Sequence, residues 1–132
     1  MSKVVKFGGS SLADAKQFRK VADIIHADPE RKYVVPSAPG KRFKEDTKVT
    51  DMLYRCYDEV AVQGKDFTEA FAPIRERYNG IISDLGLTLN LDEEFAKIGE
   101  NFKAAVGSDY AASRGEYLNG IVLANYLGFG FI

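Results

Sequence analysis

Apolar residues recur along this chain in two rhythms, and the change between them divides it. Near the start, Val4-Val5 with Phe7 form a run too short and too β-branched for a helix. It reads as a buried strand that ends at Gly8-Gly9. Tyr33-Val34-Val35 reads as a second strand and runs into Pro36-Ser37-Ala38-Pro39-Gly40. Between the two, Ala15, Phe18, Val21, Ala22 and Ile25 fall at three- and four-residue spacing, which predicts an amphipathic helix. Ser10 or Ser11 is placed to cap it, Asp14 stands in its first turn, and Asp28-Pro29 ends it. Strand, glycine turn, helix and strand make one βαβ unit, whose two strands pair in parallel.

Lys41–Lys48 is charged and polar, and reads as an exposed loop. Helical spacing takes over after it. Val49, Met52, Leu53, Cys56, Tyr57 and Val60 form one stripe, broken at Gln63-Gly64-Lys65. Phe67, Phe71, Ile74, Tyr78, Ile81, Ile82 and Leu85 form a second, with Pro73 near its start or kinking it. Leu91, Phe95, Ile98 and Phe102 form a third. A fourth opens at Ser108 or Asp109, passes through Tyr117, Leu118, Ile121 and Ala124, and stops at Gly128. Phe129-Gly130-Phe131-Ile132 resembles the first residues of a third strand, and this apolar end reads as that of a fragment.

Composition narrows the classes. The chain has 132 residues, 45% hydrophobic, with nine Phe and seven Tyr, enough for a core and against a wholly disordered chain. Eighteen basic and 19 acidic side chains leave a formal charge of -1, which gives no electrostatic case for nucleic acid or an anionic membrane. The one cysteine, Cys56, cannot form an intrachain disulfide and fits a reducing cytoplasm. The start does not read as a signal peptide, and no run approaches the roughly 20 apolar residues of a bilayer span.

Candidate chemistry begins at Lys6-Phe7-Gly8-Gly9-Ser10-Ser11. It puts a lysine at a strand end, two glycines in the turn and a helix start directly after. Glycines let a backbone approach a ligand, free N–H groups at a helix start suit phosphate, and a lysine adds a point charge. The lysine precedes the glycines, so this is not a Walker A loop. An ordinary βα turn with a solvated lysine is the other reading. Thr50 opens a helix, either as its cap or as a group that holds a substrate carboxylate. Ser113-Arg114-Gly115-Glu116 puts a glycine inside a helix, at a cost of about 1 kcal/mol relative to alanine, and so marks close packing or ligand approach. Glu116 has small neighbours at Ala112 and Gly120. It reads either as a surface glutamate or as a partly enclosed anion for an ammonium group. Lys41-Arg42-Phe43-Lys44 reads as a solvated loop, and His26 is assigned no role. No Cys/His cluster has metal-ligand spacing.

Four segments together resemble the aspartokinases: Lys6-Phe7-Gly8-Gly9-Ser10-Ser11, Ser37-Ala38-Pro39-Gly40-Lys41, Val49-Thr50-Asp51-Met52-Leu53 and Ser113-Arg114-Gly115-Glu116-Tyr117-Leu118. Their order and spacing are also similar. The resemblance implies an α/β class fold, a three-layer α/β/α sandwich with a mostly parallel sheet. Residues 1–132 would be the N-terminal part of the catalytic domain, with the remainder and the regulatory ACT domains beyond Ile132. It implies ATP and Mg2+ as cofactors, L-aspartate as substrate, no nucleic-acid or membrane partner, a cytoplasmic location and a homo-oligomeric parent enzyme. By the same resemblance Lys6 neutralises the transferred phosphoryl group, and Gly8, Gly9, Ser10 and Ser37 hold the phosphates. Thr50 and Glu116 hold aspartate, Glu116 through the ammonium. A different amino-acid or carbamate kinase, or a non-catalytic nucleotide-binding module, are the other readings. Pro36 stands where the family usually has valine, and inside a parallel sheet it should cost a ladder bond.

Overall fold

The computed structural model describes residues 1–131. Strand β1 (Lys3–Phe7) leads into a 3-10 turn, Gly9–Leu12, and then helix α1 (Ala15–His26). The helix starts later than the serines suggested. Asp14 is its cap, accepting from the Gln17 N–H at 3.0 Å, so its carboxylate closes the first turn from outside. The five apolar residues named for α1 are all buried. Strand β2 (Arg31–Pro36) pairs with β1 in parallel, Lys6 beside Val35 and Phe7 beside Pro36.

The first strand is less buried than its sequence implied, and the second is likewise open on one face. Val5, Phe7 and Val34 face the core, while Val4, Tyr33 and Val35 on the other face are 69%, 54% and 46% exposed. Pro36 costs nothing in this pair. The Ser37 N–H bonds the Phe7 carbonyl at 3.0 Å, and since successive strand residues alternate their amide direction, position 36 would point its donor away from β1. Residues 129–131 form no strand, and Ile132 lies outside the described residues.

Helices α2 (Val49–Tyr57), α3 (Phe67–Asp84), α4 (Asp92–Lys103) and α5 (Ser108–Leu127) follow, with a π turn at Asp58–Val62 extending α2. Pro73 lies within α3, in its second turn on the exposed side. The Glu69 carbonyl that it leaves without a helical donor belongs to an exposed residue, so water can satisfy it. The core is aromatic where α3 and α4 meet. Phe67 stacks on Phe71 at 4.8 Å, Phe71 meets Phe95 edge-on at 5.2 Å, and Phe102 meets both Tyr57 and Phe67. Each buried Phe contributes roughly 1.5–3 kcal/mol.

Helix α5 is held differently. Gly115 packs against Ala38: a Cβ built on Gly115 would lie 2.6 Å from the Ala38 Cβ and 3.2 Å from Leu53. The buried Tyr78 hydroxyl donates to the Gly115 carbonyl at 2.8 Å, tying α3 to α5. The glycine inside this helix is therefore a close-packing glycine.

Two alanine substitutions should separate packing from propensity. Gly80→Ala adds a methyl to an exposed helical site with open space around it, and should stabilise by about 0.5–1 kcal/mol. Gly115→Ala should destabilise by about 1–3 kcal/mol despite the same propensity gain. Urea midpoints check both; a Gly115→Ala variant as stable as the parent would refute the close contact.

Candidate functional site

Two turns leave the carboxyl ends of the paired strands, one after Phe7 and one after Pro36. They lie backbone to backbone. The Gly40 N–H donates to the Gly9 carbonyl at 2.8 Å. A Cβ on Gly40 would fall 2.6 Å from the Gly9 carbonyl carbon and 2.8 Å from the Ser10 nitrogen. A Cβ on Gly9 would meet the Ala38 oxygen at 3.0 Å. Side chains at either position would force the turns apart. Gly8 differs: it is exposed, extended at φ -76°, and faces open space.

The second turn then positions α2. The Val49 N–H, first in that helix, bonds the Pro39 carbonyl at 3.1 Å. Lys48 occupies the cap position and gives no side-chain cap bond; Thr50 is the second helical residue, so its capping reading falls. Helix α5 closes the other side. Asn119, fully buried, donates from Nδ2 to the Ser37 carbonyl at 2.7 Å, while its Oδ1 has no protein partner among the described residues. Gly115 touches Ala38 one residue further along the turn, and Glu116 follows Gly115.

The backbone thus brings Gly8, Gly9, Ser10, Ser37 and the start of α2 to one end of the strands, with the Gly115-Glu116 segment alongside. Lys6, Gly8, Ser10 and Glu116 are exposed, and Gly9, Ser37 and Thr50 partly buried. Among the described residues neither Lys6 nor Glu116 has an ion-pair partner. Glu116 is not enclosed. It lies on the wall of a cavity of about 760 Å³ between β2 and α5, shared with Val35, Pro36, Tyr117 and Gly120. Arg114 turns away from it, its guanidinium 4.5 Å from the Tyr110 ring centre and 4.6 Å from that of Tyr117. Among the described residues no three His, Cys, Asp or Glu side chains are grouped to hold a metal ion, and no helix is long and apolar enough to cross a membrane.

The sequence reading passed over two residues of this region, Asn119 and Arg77. Arg77 on α3 is 5% exposed. Its guanidinium donates to the carbonyls of Ala13 (2.9 Å), Thr47 (3.2 Å) and Gly40. Asp46 Oδ2 lies 3.7 Å away. Asp46 also takes a two-pronged pair from Arg42, at 2.6 and 2.9 Å, so the Lys41–Lys48 loop is pinned rather than free. The Arg42 hydrogen bond holds the Asp46 carboxyl far below the usual carboxylate range against the opposing effect of burial. Burial lowers the Arg77 pKa, and the neighbouring Arg42 charge adds to this. Away from this region, burial pushes the Cys56 thiol up to about 12, so it stays protonated and unreactive. A signal for both missed residues was present. Position 77 falls on the buried stripe between Ile74 and Ile81, and position 119 on that between Gly115 and Val122; a polar residue on an apolar stripe has a partner to satisfy.

A parallel βαβ opening with glycine-lined turns at the carboxyl ends of its strands places the chain in the α/β class. The chain belongs to the amino acid kinase family, whose model matches residues 1–129. It is similar to aspartokinase 3 of Bacillus subtilis (strain 168), with 48% identity over 92 residues, covering 70% of this chain and 20% of that protein. A bifunctional chloroplastic aspartokinase/homoserine dehydrogenase 1 of Zea mays is 27% identical over 98% of this chain and 13% of its own. Among solved structures, the aspartate kinase of Clostridium acetobutylicum superposes with a TM-score of 0.88 at 50% identity, over 95% of this chain and 29% of that one. Aspartokinase III of E. coli, solved in complex with aspartate and ADP, shares the fold at a TM-score of 0.73 and 24% identity, over 97% of this chain and 29% of its own. The chain therefore spans between about an eighth and under a third of the length of these relatives.

The Asp46 pairs give a pH signature. Its folded pKa is depressed, so the stability it contributes is present above its ordinary value of 3.8 and is lost as pH falls through that value and below. Asp46→Asn should lower the thermal midpoint at pH 7. The gap from the parent should narrow as pH drops below about 4. A gap that held constant to pH 3 would show that the carboxylate charge is not what matters.

Proposed function

We propose that the chain is the N-terminal part of an aspartate kinase catalytic domain, whose full gene product transfers the γ-phosphoryl group of ATP to the β-carboxylate of L-aspartate. The observation that carries this reading is the likeness to aspartate kinases at 48% and 50% identity. The geometry supports it: the turn after β1, the turn after β2, the start of α2 and the Gly115-Glu116 segment gather at one end of the strands.

In this reading a carboxylate oxygen of aspartate attacks the γ-phosphorus. The bond from that phosphorus to the bridging oxygen breaks, ADP leaves with the electron pair, and an acyl phosphate, 4-phospho-L-aspartate, is formed. The backbone at Gly8, Gly9 and Ser10, exposed at 8 and 10 and partly buried at 9, offers N–H donors to the phosphates, with the Ser10 and Ser37 hydroxyls as further partners. Lys6 stands unpaired on β1, two residues before Gly8, and supplies positive charge to the phosphoryl group as charge builds on its oxygens. Glu116, unpaired and exposed at the cavity wall, takes the substrate ammonium, and Thr50 its carboxylate. The residues fit a nucleotide whose Mg2+ is held chiefly by phosphate oxygens, since Mg2+ is commonly bound by substrate phosphates and only one or two carboxylates. The ion's chemistry is neutralisation of phosphate charge. A cytoplasmic, homo-oligomeric enzyme completes the reading. The cytoplasmic location fits a chain whose one cysteine is buried and protonated.

A coupled assay of acyl-phosphate formation with ATP, Mg2+ and aspartate, on the full gene product that carries this chain, tests it. Aspartate should be the preferred acceptor; glutamate or acetylglutamate outperforming it would reassign the substrate within the family. Lys6→Ala should lower kcat by about 10²–10³-fold with a much smaller change in the KM for ATP. Glu116→Ala should raise the KM for aspartate by roughly 10–100-fold, the worth of a hydrogen bond to a charged group. Unchanged aspartate saturation would remove Glu116 from the site.

A further inference from the structure

Arg77 is on α3, well away in sequence from every residue given a chemical role above, yet it touches both loops that build the site, the one after β1 once and the one between β2 and α2 at two points. One guanidinium reaches Ala13, at the exit of the glycine turn, Gly40, at the end of the second turn, and Thr47, two residues before α2. The two loops are fixed to one another through Gly40 to Gly9, and the second is closed on itself through Val49 to Pro39. A buried arginine that served only to fill space would be a poor choice, since burial of its charge costs several kcal/mol unless fixed dipoles and counter-charge offset it. The carbonyls and Asp46 supply that offset only in one relative placement of the loops.

We propose that Arg77 is a positioning residue for phosphoryl transfer: its three-way clamp sets the separation between the phosphate turn at Gly8–Ser10 and the acceptor-side residue Thr50. The inference rests on the kinase reading above. A guanidinium suits this task because its donors are held in a rigid planar fork, so three carbonyls bonded to it cannot drift independently. A lysine offers one flexible ammonium and can keep only part of the geometry. A methionine keeps most of the volume and none of the bonds. In-line transfer depends steeply on placement, with about 1 Å of error able to cost about 10²-fold in rate.

The test uses the full gene product. Arg77→Met should lower kcat by about 10²-fold, Arg77→Lys by less, and both should leave the KM values for ATP and aspartate within about threefold of the parent. Assays are run well below each variant's thermal midpoint, so that a loss of folded enzyme is not read as a loss of rate. A folded Arg77→Met enzyme with kcat within twofold of the parent would overturn the proposal, and so would losses equal in the two variants. Amide hydrogen exchange on the unmodified protein gives a second measurement that needs no variant and no substrate. The Gly40 and Val49 amides should share one protection factor, because one clamp holds both. Protection differing by more than about tenfold between them would overturn the clamp. If the unmodified protein phosphorylates no amino acid, the kinase reading fails by itself, and the exchange result still decides whether Arg77 holds the loops as one unit.

Discussion

A guanidinium buried beneath two loops is the constraint on which this architecture turns. Arg77 is almost fully buried and cannot lose its proton, so most of its charge must be met by protein groups. Those groups are three backbone carbonyls from residues 13, 40 and 47, with Asp46 as counter-charge. Backbone carbonyls can be brought to one point only if the loops that carry them are brought there too. The electrostatic demand of one side chain thus becomes a geometric statement about the turn after β1, the turn after β2 and the entry to α2.

Glycine makes that convergence sterically possible. Gly9 and Gly40 meet backbone to backbone at distances no Cβ would permit, and Gly115 lets α5 settle onto Ala38. Helix α5 then delivers three functions within five residues. Gly115 gives contact, Glu116 an exposed carboxylate, and Asn119 a bond to the Ser37 carbonyl. Positions 115 and 119 lie one turn apart on the buried face while 116 is rotated outward, so the same helix grips the turn and presents a charge beside it.

The aromatic layer where α3 meets α4 does a different job. It holds α3 in place without touching the site, through Phe67, Phe71, Phe95 and Phe102, and so fixes the helix from which Arg77 and Tyr78 reach. Tyr78 bonds α5 and Arg77 bonds the loops, from adjacent positions on one helix. Order in the apolar core, of which the Tyr78 ring is itself a part, is in this way carried to the Tyr78 hydroxyl and the Arg77 guanidinium.

Much of this was legible along the chain. Apolar spacing located all five helices of the described residues, but it misread the buried face of α5: of Tyr117, Leu118, Ile121 and Ala124 only Leu118 is fully buried, and Ala111, Gly115, Asn119 and Val122 line that face instead. The strands and their parallel pairing followed from β-branched runs flanking a helix, and the Lys6–Ser11 segment announced itself by glycines next to a helix start. Sequence could not choose Asp14 over Ser10 or Ser11 as the cap, since all three residue types serve and only the intervening 3-10 turn decides. It read the first strand as buried, Val4 included, because β-branched residues report strand tendency and not which face is covered. It charged Pro36 with a lost ladder bond, because amide direction depends on register. Above all it passed over Arg77 and Asn119. What each bonds is a carbonyl 30 to 82 positions away, and backbone acceptors carry no residue identity. The sequence alone determined the elements and the chemical groups offered at their ends. Tertiary structure decided which of those ends meet, because hydrogen bonds to the backbone depend on where the chain goes and not on which residue is there.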